Sequence, residues 1–401
     1  MNWWVSVRAG NTRPATDFIS ARPLYALAVV LLCTLVLPVG ALAQGQHVWR
    51  IETVNNDAGS DVGKYAALAI DSSGNFHVAY YDDTHRALLY SFRAKSDKKW
   101  YTTKIDGKGA GTYVSIAVDA ADHPHFAYNS RYEDGLHYTT WNGTKWLRQI
   151  IDPEHINYYT SIQLDQAGHP RISYYLYHAP DGSYLLKLKF ASFDGQKWTI
   201  ETVDKRPETG KFNSLALDAA GRPHIAYSNV SWGDLLYAAW DGSSWNFGDA
   251  DSRRTHHHYV GIGNSVALDA AGNPHIAYLD STDNVVKYTT FREGKWNTEV
   301  VDHLISKGEV DHVSLKLDKQ SRPHVAYYDG GAGILKYSSR DEKGWSTEVV
   351  DNGGNAGKYP SLCFDSDDLP YIAYYSLDTS SLSLAHMEAS TVAEIPKTKE
   401  P

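Results

Sequence analysis

Apolar and polar positions alternate along this chain in short runs, and the alternation recurs. Its fullest copy runs from Ser265 to Asp302: S-V-A-L-D-A-A-G-N-P-H-I-A-Y, a loop, V-V-K-Y-T-T-F, a turn, then K-W-N-T-E-V-V-D. Four runs of strand length are separated by turn residues. Strand a is S-x-A-L-D. The turn D-A-A-G-N-P supplies Gly for an unusual backbone angle and Pro to open the next strand. Strand b is H-I-A-Y, strand c is L-L-Y or V-K-Y, and strand d begins with Trp and ends E-V-V-D. The Asp closing strand a returns as Asp71, Asp119, Asp165, Asp218, Asp269, Asp318 and Asp365, at intervals of 48, 46, 53, 51, 49 and 47 residues.

Four short strands in each repeat of about fifty residues is the pattern of a propeller blade. The expected fold is therefore all-β: a seven-bladed β-propeller with four antiparallel strands per blade. The last copy, Ser361 to Glu388, lacks a strand d, and His47–Val54 is a strand d with nothing before it. The N-terminal strand is expected to complete the last blade and close the ring, which removes exposed sheet edges. The domain thus spans residues 46–388. Residues 389–401 are polar, with two Pro, and read as a disordered tail.

Residues 1–43 read as a signal peptide. Arg8, Arg13 and Arg22 precede an apolar run from Leu24 to Val36, and Ala41-Leu42-Ala43 forms a small-residue cleavage site. A secreted or periplasmic protein starting at Gln44 is expected. Cys33 would leave with the signal, so Cys363 could form no internal disulfide and is read as a buried strand residue. The formal charge of −9 argues against nucleic acid as a partner. No further apolar run is long enough to span a membrane.

Comparison among the seven copies separates scaffold from candidate site. Seven of twelve Trp open strand d, and five of eighteen His (His77, His125, His224, His275 and His324) open strand b beside the turn Asp. Both sets read as packing and hydrogen-bonding parts of each blade. Aromatic residues also start strand a in most blades (Tyr65, Tyr113, Tyr159, Phe212 and Tyr359), chiefly as rim packing. Chain direction puts the d–a and b–c loops on one face and the short a–b and c–d turns on the other. The first face carries the long, variable loops, where propellers usually bind.

The irregular residues fall on that variable face. The Asp249–Gly263 loop holds Arg253, Arg254, His256, His257, His258 and Tyr259. The b–c loop of blade two holds Arg131, Tyr132, Glu133 and Asp134, that of blade three Tyr177, His178 and Asp181, and that of blade four Trp232. Aromatic faces stack on sugar rings, polar groups fix hydroxyls, and Arg clamps carboxylates. The ligand-binding candidates are Arg131, Tyr132, His178, Trp232, Arg254, His257 and Tyr259, for a glycan and in particular an acidic polysaccharide. A polysaccharide lyase using His, Tyr and Arg, or a glycoside hydrolase using two carboxylates, is an alternative on the same face. A protein-interaction platform is another. No cofactor is expected, and no metal, because consecutive His rarely ligate one ion.

The blades resemble the BNR-type, sialidase-like repeats of bacterial secreted propellers across residues 46–388. Ser192-Phe193-Asp194-Gly195-Gln196-Lys197-Trp198 is similar to the Asp-box turn S-x-D-x-G-x-x-W, less the residue between Asp and Gly, and Asp241-Gly242-Ser243-Ser244-Trp245 shares the shortened form. The resemblance implies the propeller fold and a structural role for these turns, opposite the active face. The R-I-P arginine of sialidases is missing, which argues against sialidase chemistry.

Overall fold

The computed structural model describes residues 47–130, 135–153, 156–178, 184–229, 231–252, 259–304 and 312–389. They form seven four-stranded antiparallel sheets, each ordered a-b-c-d. Blade one, for example, comprises Val62–Ile70, Phe76–Asp82, Ala87–Arg93 and Tyr101–Asp106. In blade seven the fourth strand is His47–Asn55, paired antiparallel with Ser381–Ala389 from the other end of the chain. Each strand a lies beside the strand a of the next blade, and that of blade seven lies beside that of blade one. The chain is a closed seven-bladed propeller with strands a around the axis. Among the described residues no helix is long and apolar enough to cross a membrane.

Three repeated contacts explain why this sequence makes this ring. The first ties each turn to its own blade. The turn Asp accepts from the backbone N–H groups that follow it and faces the His opening strand b; in blade one Asp71 Oδ2 lies 3.0 Å from His77 Nε2. The other ring nitrogen of that His meets a Tyr hydroxyl on strand c, as in His77–Tyr90 at 2.8 Å and His275–Tyr288 at 2.5 Å. Blade three replaces the pair together. Arg171 stands for His and bonds Asp165 at 2.7 Å, while Phe190 stands for Tyr.

The second contact is aromatic. The strand-d Trp of six blades packs on the strand-c ring of the blade before it, at 5.2 to 5.7 Å between centroids. The seventh, Trp100, follows blade seven, which has Leu384 at that place, and lies against Phe76 and Arg93 instead.

The third contact joins strand b of one blade to the end of strand d of the blade before. Tyr128, Tyr174, Tyr227, Tyr278, Tyr327 and Tyr374 donate to Asp106, Asp152, Asp204, Asp251, Asp302 and Asp351 at 2.5 to 2.8 Å. All six rings are buried, and burial raises their hydroxyl pKa values. Where the ring closes, Asn55 replaces Asp and donates to the Tyr80 hydroxyl at 2.8 Å. The Ser of S-x-A-L-D has a matching role at the axis. Ser361 Oγ, for instance, accepts from Leu68 N–H of the next blade at 2.9 Å. Cys363 is a half-buried strand residue with Sγ 3.0 Å from the Leu68 carbonyl, and burial raises its thiol pKa.

Candidate functional site

Cross-loop hydrogen bonds put the d–a and b–c loops together on one face. Asp61 N–H donates to Thr84 Oγ1 at 2.8 Å, and Tyr259 N–H to Thr282 Oγ1 at 3.0 Å. The opposite face carries the tight turns, where Asp194 and Asp241 each accept two backbone N–H bonds from the residues that follow.

On the variable face the axis opens through a ring of aromatic side chains. Tyr65, Tyr113, Tyr159, Phe212 and Tyr359 stand six residues before the blade Asp, and all take left-handed backbone angles, with φ between +52° and +56°. That conformation costs a non-glycine residue about 1–2 kcal/mol. It arises at an irregularity in strand a, which shifts register against strand b between Lys64 and Ala67 and at the matching place in blade two. Two residues earlier, Gly63 lets the neighbouring blade approach, since a Cβ there would stand 2.9 Å from Leu382 Cα. The rings contact one another around the axis at 4.5 to 4.8 Å between centroids. They are packing residues, as expected, and they also line an axial cavity of about 140 Å³.

Beside this mouth is a cleft of about 410 Å³ lined by Tyr113, Tyr158, Tyr159, Tyr175, Tyr177, Leu186, Glu208 and Lys211. Tyr158 and Tyr177 cross edge to face at 5.4 Å, and Lys211 lies over the Phe212 ring at 4.8 Å. Five phenol rings, one cation and one carboxylate thus share a single concavity. A second cleft, of about 360 Å³, is lined by Arg206, Pro207, Asn229, Trp232, Asp234, Leu236 and Asp249. The consecutive residues Arg206, Pro207 and Glu208 divide the two. Arg206 is fixed by a two-pronged bond to Asp204 and lies 5.7 Å from the Phe247 ring.

A charged cluster marks the place where blades seven and one meet. Lys64 Nζ is 2.6 Å from both Asp61 and Asp83, and Tyr375 donates to Asp61 at 2.6 Å. Burial opposes the Lys64 charge, but the two carboxylates outweigh it and raise its pKa. Deeper in the ring, Lys287 bonds Asp280 at 2.6 Å, and Lys336 bonds Asp302 and Asp329 at 2.9 Å each. Lys287 is thus satisfied within blade five, and Lys336 joins blade six to blade five through Asp302.

Of the seven candidates drawn from the sequence, Arg131, Tyr132, Arg254 and His257 lie outside the described residues. His178 ends strand b of blade three, one residue beyond Tyr177 of the tyrosine cleft. Trp232 and Tyr259 are both about half exposed, at 47% and 49%. The residues that follow them, Gly233 and Val260, are hydrogen-bonded at 2.9 Å, so the two chain segments are neighbours. Sequence reasoning missed Tyr158, Glu208 and Lys211. The available signal was the Tyr158-Tyr159 doublet facing Tyr174-Tyr175 and Tyr177, found in blade three alone.

No known family profile matches the chain, and no curated protein matches its sequence. Solved structures do. A polysaccharide lyase of family PL25, an ulvan lyase, is 12% identical with a TM-score of 0.54, over 83% of this chain and 93% of that one. The same enzyme bound to -[GlcA(1-4)Rha3S]- gives 0.55 at the same identity and coverage. A protein of unknown function from Dyadobacter fermentans is 10% identical with a TM-score of 0.53, over 85% and 99%. At such identities the likeness is one of fold, and the fold it supports is the seven-bladed β-propeller.

Proposed function

We propose that the face formed by the d–a and b–c loops binds a carbohydrate, with the tyrosine cleft of blades three and four as its main contact. The observation that carries this reading is the cleft's composition. Phenol rings offer faces for the C–H side of a sugar and hydroxyls for its oxygens, while Lys211 offers a cation for a uronate or sulfate. Trp232 and Arg206 extend the same surface across the dividing loop, with Tyr259 on the segment beside Trp232, and the reading keeps Arg131, Tyr132, His178, Arg254 and His257 as candidates from the sequence. The reading includes export through residues 1–43. The fold-level likeness to a lyase solved with -[GlcA(1-4)Rha3S]- makes sulfated and uronate polymers the first to try.

The test is affinity electrophoresis of the mature chain through gels holding acidic or neutral polysaccharides. We expect retardation by at least one polymer, weakened about tenfold by Tyr177→Ala or Tyr158→Ala, both half-buried positions that the core does not need. Shortened polymer with new ultraviolet absorbance would make the protein a lyase on this face, and shortening without it a hydrolase. A folded protein retarded by no polymer would overturn the reading in favour of a protein partner.

A further inference from the structure

The aromatic ring at the channel mouth is broken once. Blade five has Gly263 where five sister blades have Tyr or Phe, and Gly263 keeps the same left-handed φ, +58°. The backbone is set for a ring that the sequence leaves out. The next residue, Asn264, is 7% exposed and lines the axial cavity. Its amide orientation is fixed, because Nδ2 donates to the Gly261 carbonyl at 3.0 Å. Its Oδ1 is buried and accepts nothing. Blade four shows what is missing. Asn213 holds the corresponding position, its Nδ2 donates to the Gly210 carbonyl at 3.1 Å, and its Oδ1 faces the Ser173 hydroxyl at 2.6 Å. The residue matching Ser173 beside Asn264 is Ala226.

His312, the next rim residue around the ring, packs on Tyr359 at 5.3 Å, and its Nδ1 is likewise buried with no partner. Burial lowers its pKa to about 4, so the imidazole is neutral near pH 7. Among the described residues no Lys, Arg, Asp or Glu lines the cavity. Its volume, about 140 Å³, is close to that of an engineered cavity of about 150 Å³ that holds a benzene ring.

We propose that the gap at Gly263 is a binding subsite for one uncharged six-membered sugar ring. One of its hydroxyls donates to Asn264 Oδ1, another meets His312 Nδ1, and the rim aromatics cover its C–H faces. The proposal deepens the carbohydrate reading and rests on it for the class of ligand. It also separates two chemistries on one face. The tyrosine cleft has Lys211 for an acidic unit, whereas among the described residues the axial subsite has no cation to offset the lost hydration of a carboxylate.

Isothermal titration of the mature chain with methyl glycosides of neutral hexoses, 6-deoxyhexoses and the matching uronic acids tests this. We expect at least one neutral glycoside to bind, at least tenfold more tightly than its uronate. Gly263→Tyr, which restores the sister-blade residue, should weaken that binding at least tenfold. Ala226→Ser, which gives Asn264 Oδ1 the donor that Asn213 has, should weaken it several-fold with little structural burden. Thermal unfolding of both variants confirms that they fold. Binding unmoved by either substitution, a preference for the uronate, or no glycoside bound by the folded protein would each overturn the subsite. Tyr177→Ala discriminates the two readings. Loss of polymer retention with glycoside affinity intact leaves the subsite standing, and polymer retention by an unsubstituted protein that binds no glycoside sinks the subsite alone.

Discussion

Blade three and blade five solve the same problem differently: blade three departs from the common repeat at both ends of the blade, and blade five at the loop end. At the turn end, blade five keeps the Asp269–His275–Tyr288 chain, whereas blade three substitutes Arg171 and Phe190 together. At the loop end, blade three keeps its rim Tyr and adds Tyr158 and Tyr177 beside it, whereas blade five gives up its rim ring for Gly263. A change at the turn end is compensated, because an unpaired buried hydroxyl or carboxylate would cost folding energy. The change at the loop end of blade five is not: beside Gly263 the Asn264 Oδ1 is buried without a partner, and so is Nδ1 of His312 on the next blade. Compensated variation is what a scaffold does, and uncompensated variation is where a ligand has room.

The largest break in this comparison is a scaffold substitution that should leave the loop end alone. Tyr278 is fully buried, and its hydroxyl bonds Asp251 at 2.6 Å across two blades. Tyr278→Ala removes a large core side chain, which costs about 3–5 kcal/mol. It also leaves Asp251 with the more distant Lys287 at 3.6 Å. Chemical denaturation should show that loss, while polymer retention under native conditions persists. Loss of retention in a variant that still folds would mean that the two ends are coupled.

A smaller, sharper test transplants the solution of blade three into blade five. His275→Arg alone strands the Tyr288 hydroxyl, and Tyr288→Phe alone strands His275 Nδ1, each at about 1–3 kcal/mol. Made together they recreate Arg171 with Phe190, and Phe291 corresponds to the Phe193 carbonyl that Arg171 reaches at 2.7 Å. A double-mutant cycle should give a favourable coupling of about 0.5–3 kcal/mol. Strict additivity would mean that blade three changed its two residues independently.

The same contrast explains what the sequence made legible. Whatever repeats could be seen: the blade count, the closing strand, the strand-d Trp and the strand-b His all stand where the periodicity places them. The Tyr–Asp ties were in view as letters, the Y of H-I-A-Y and the D of E-V-V-D. Their pairing was not, because it joins one blade to the next, as in Tyr278 to Asp251. The site was legible only as deviation. Deviation drew attention to the longest loops, and part of what the fold assembles lies on the strands beneath them. Lys211 and Asn264 are ordinary strand residues until the ring places them at one mouth, and Gly263 looked like the end of a loop when it is a rim position with its ring missing.

The smallest expected effect concerns pH. The imidazoles of His77, His125, His224, His275 and His324 are all held below their ordinary value, because burial outweighs the pull of the turn Asp. In the unfolded chain each takes up a proton as pH falls through about 6.5. In the folded chain each does so only at lower pH, so the unfolded state binds more protons in between. Stability is therefore fully present above about pH 6.5 and declines as pH falls below it, until the folded groups protonate too. Around His275 the charged groups are Asp269, which favours the cation, and Arg292, which opposes it. Replacing His275 with Arg in the paired variant removes one titrating group from that window. The slope of unfolding free energy against pH should then flatten by at most about 1.4 kcal/mol per pH unit. Denaturation midpoints across the range measure this directly. A slope that stays the same would mean that His275 is not among the groups that make the ring acid-sensitive, and would turn the test to the other turn imidazoles and to His312 beside the channel.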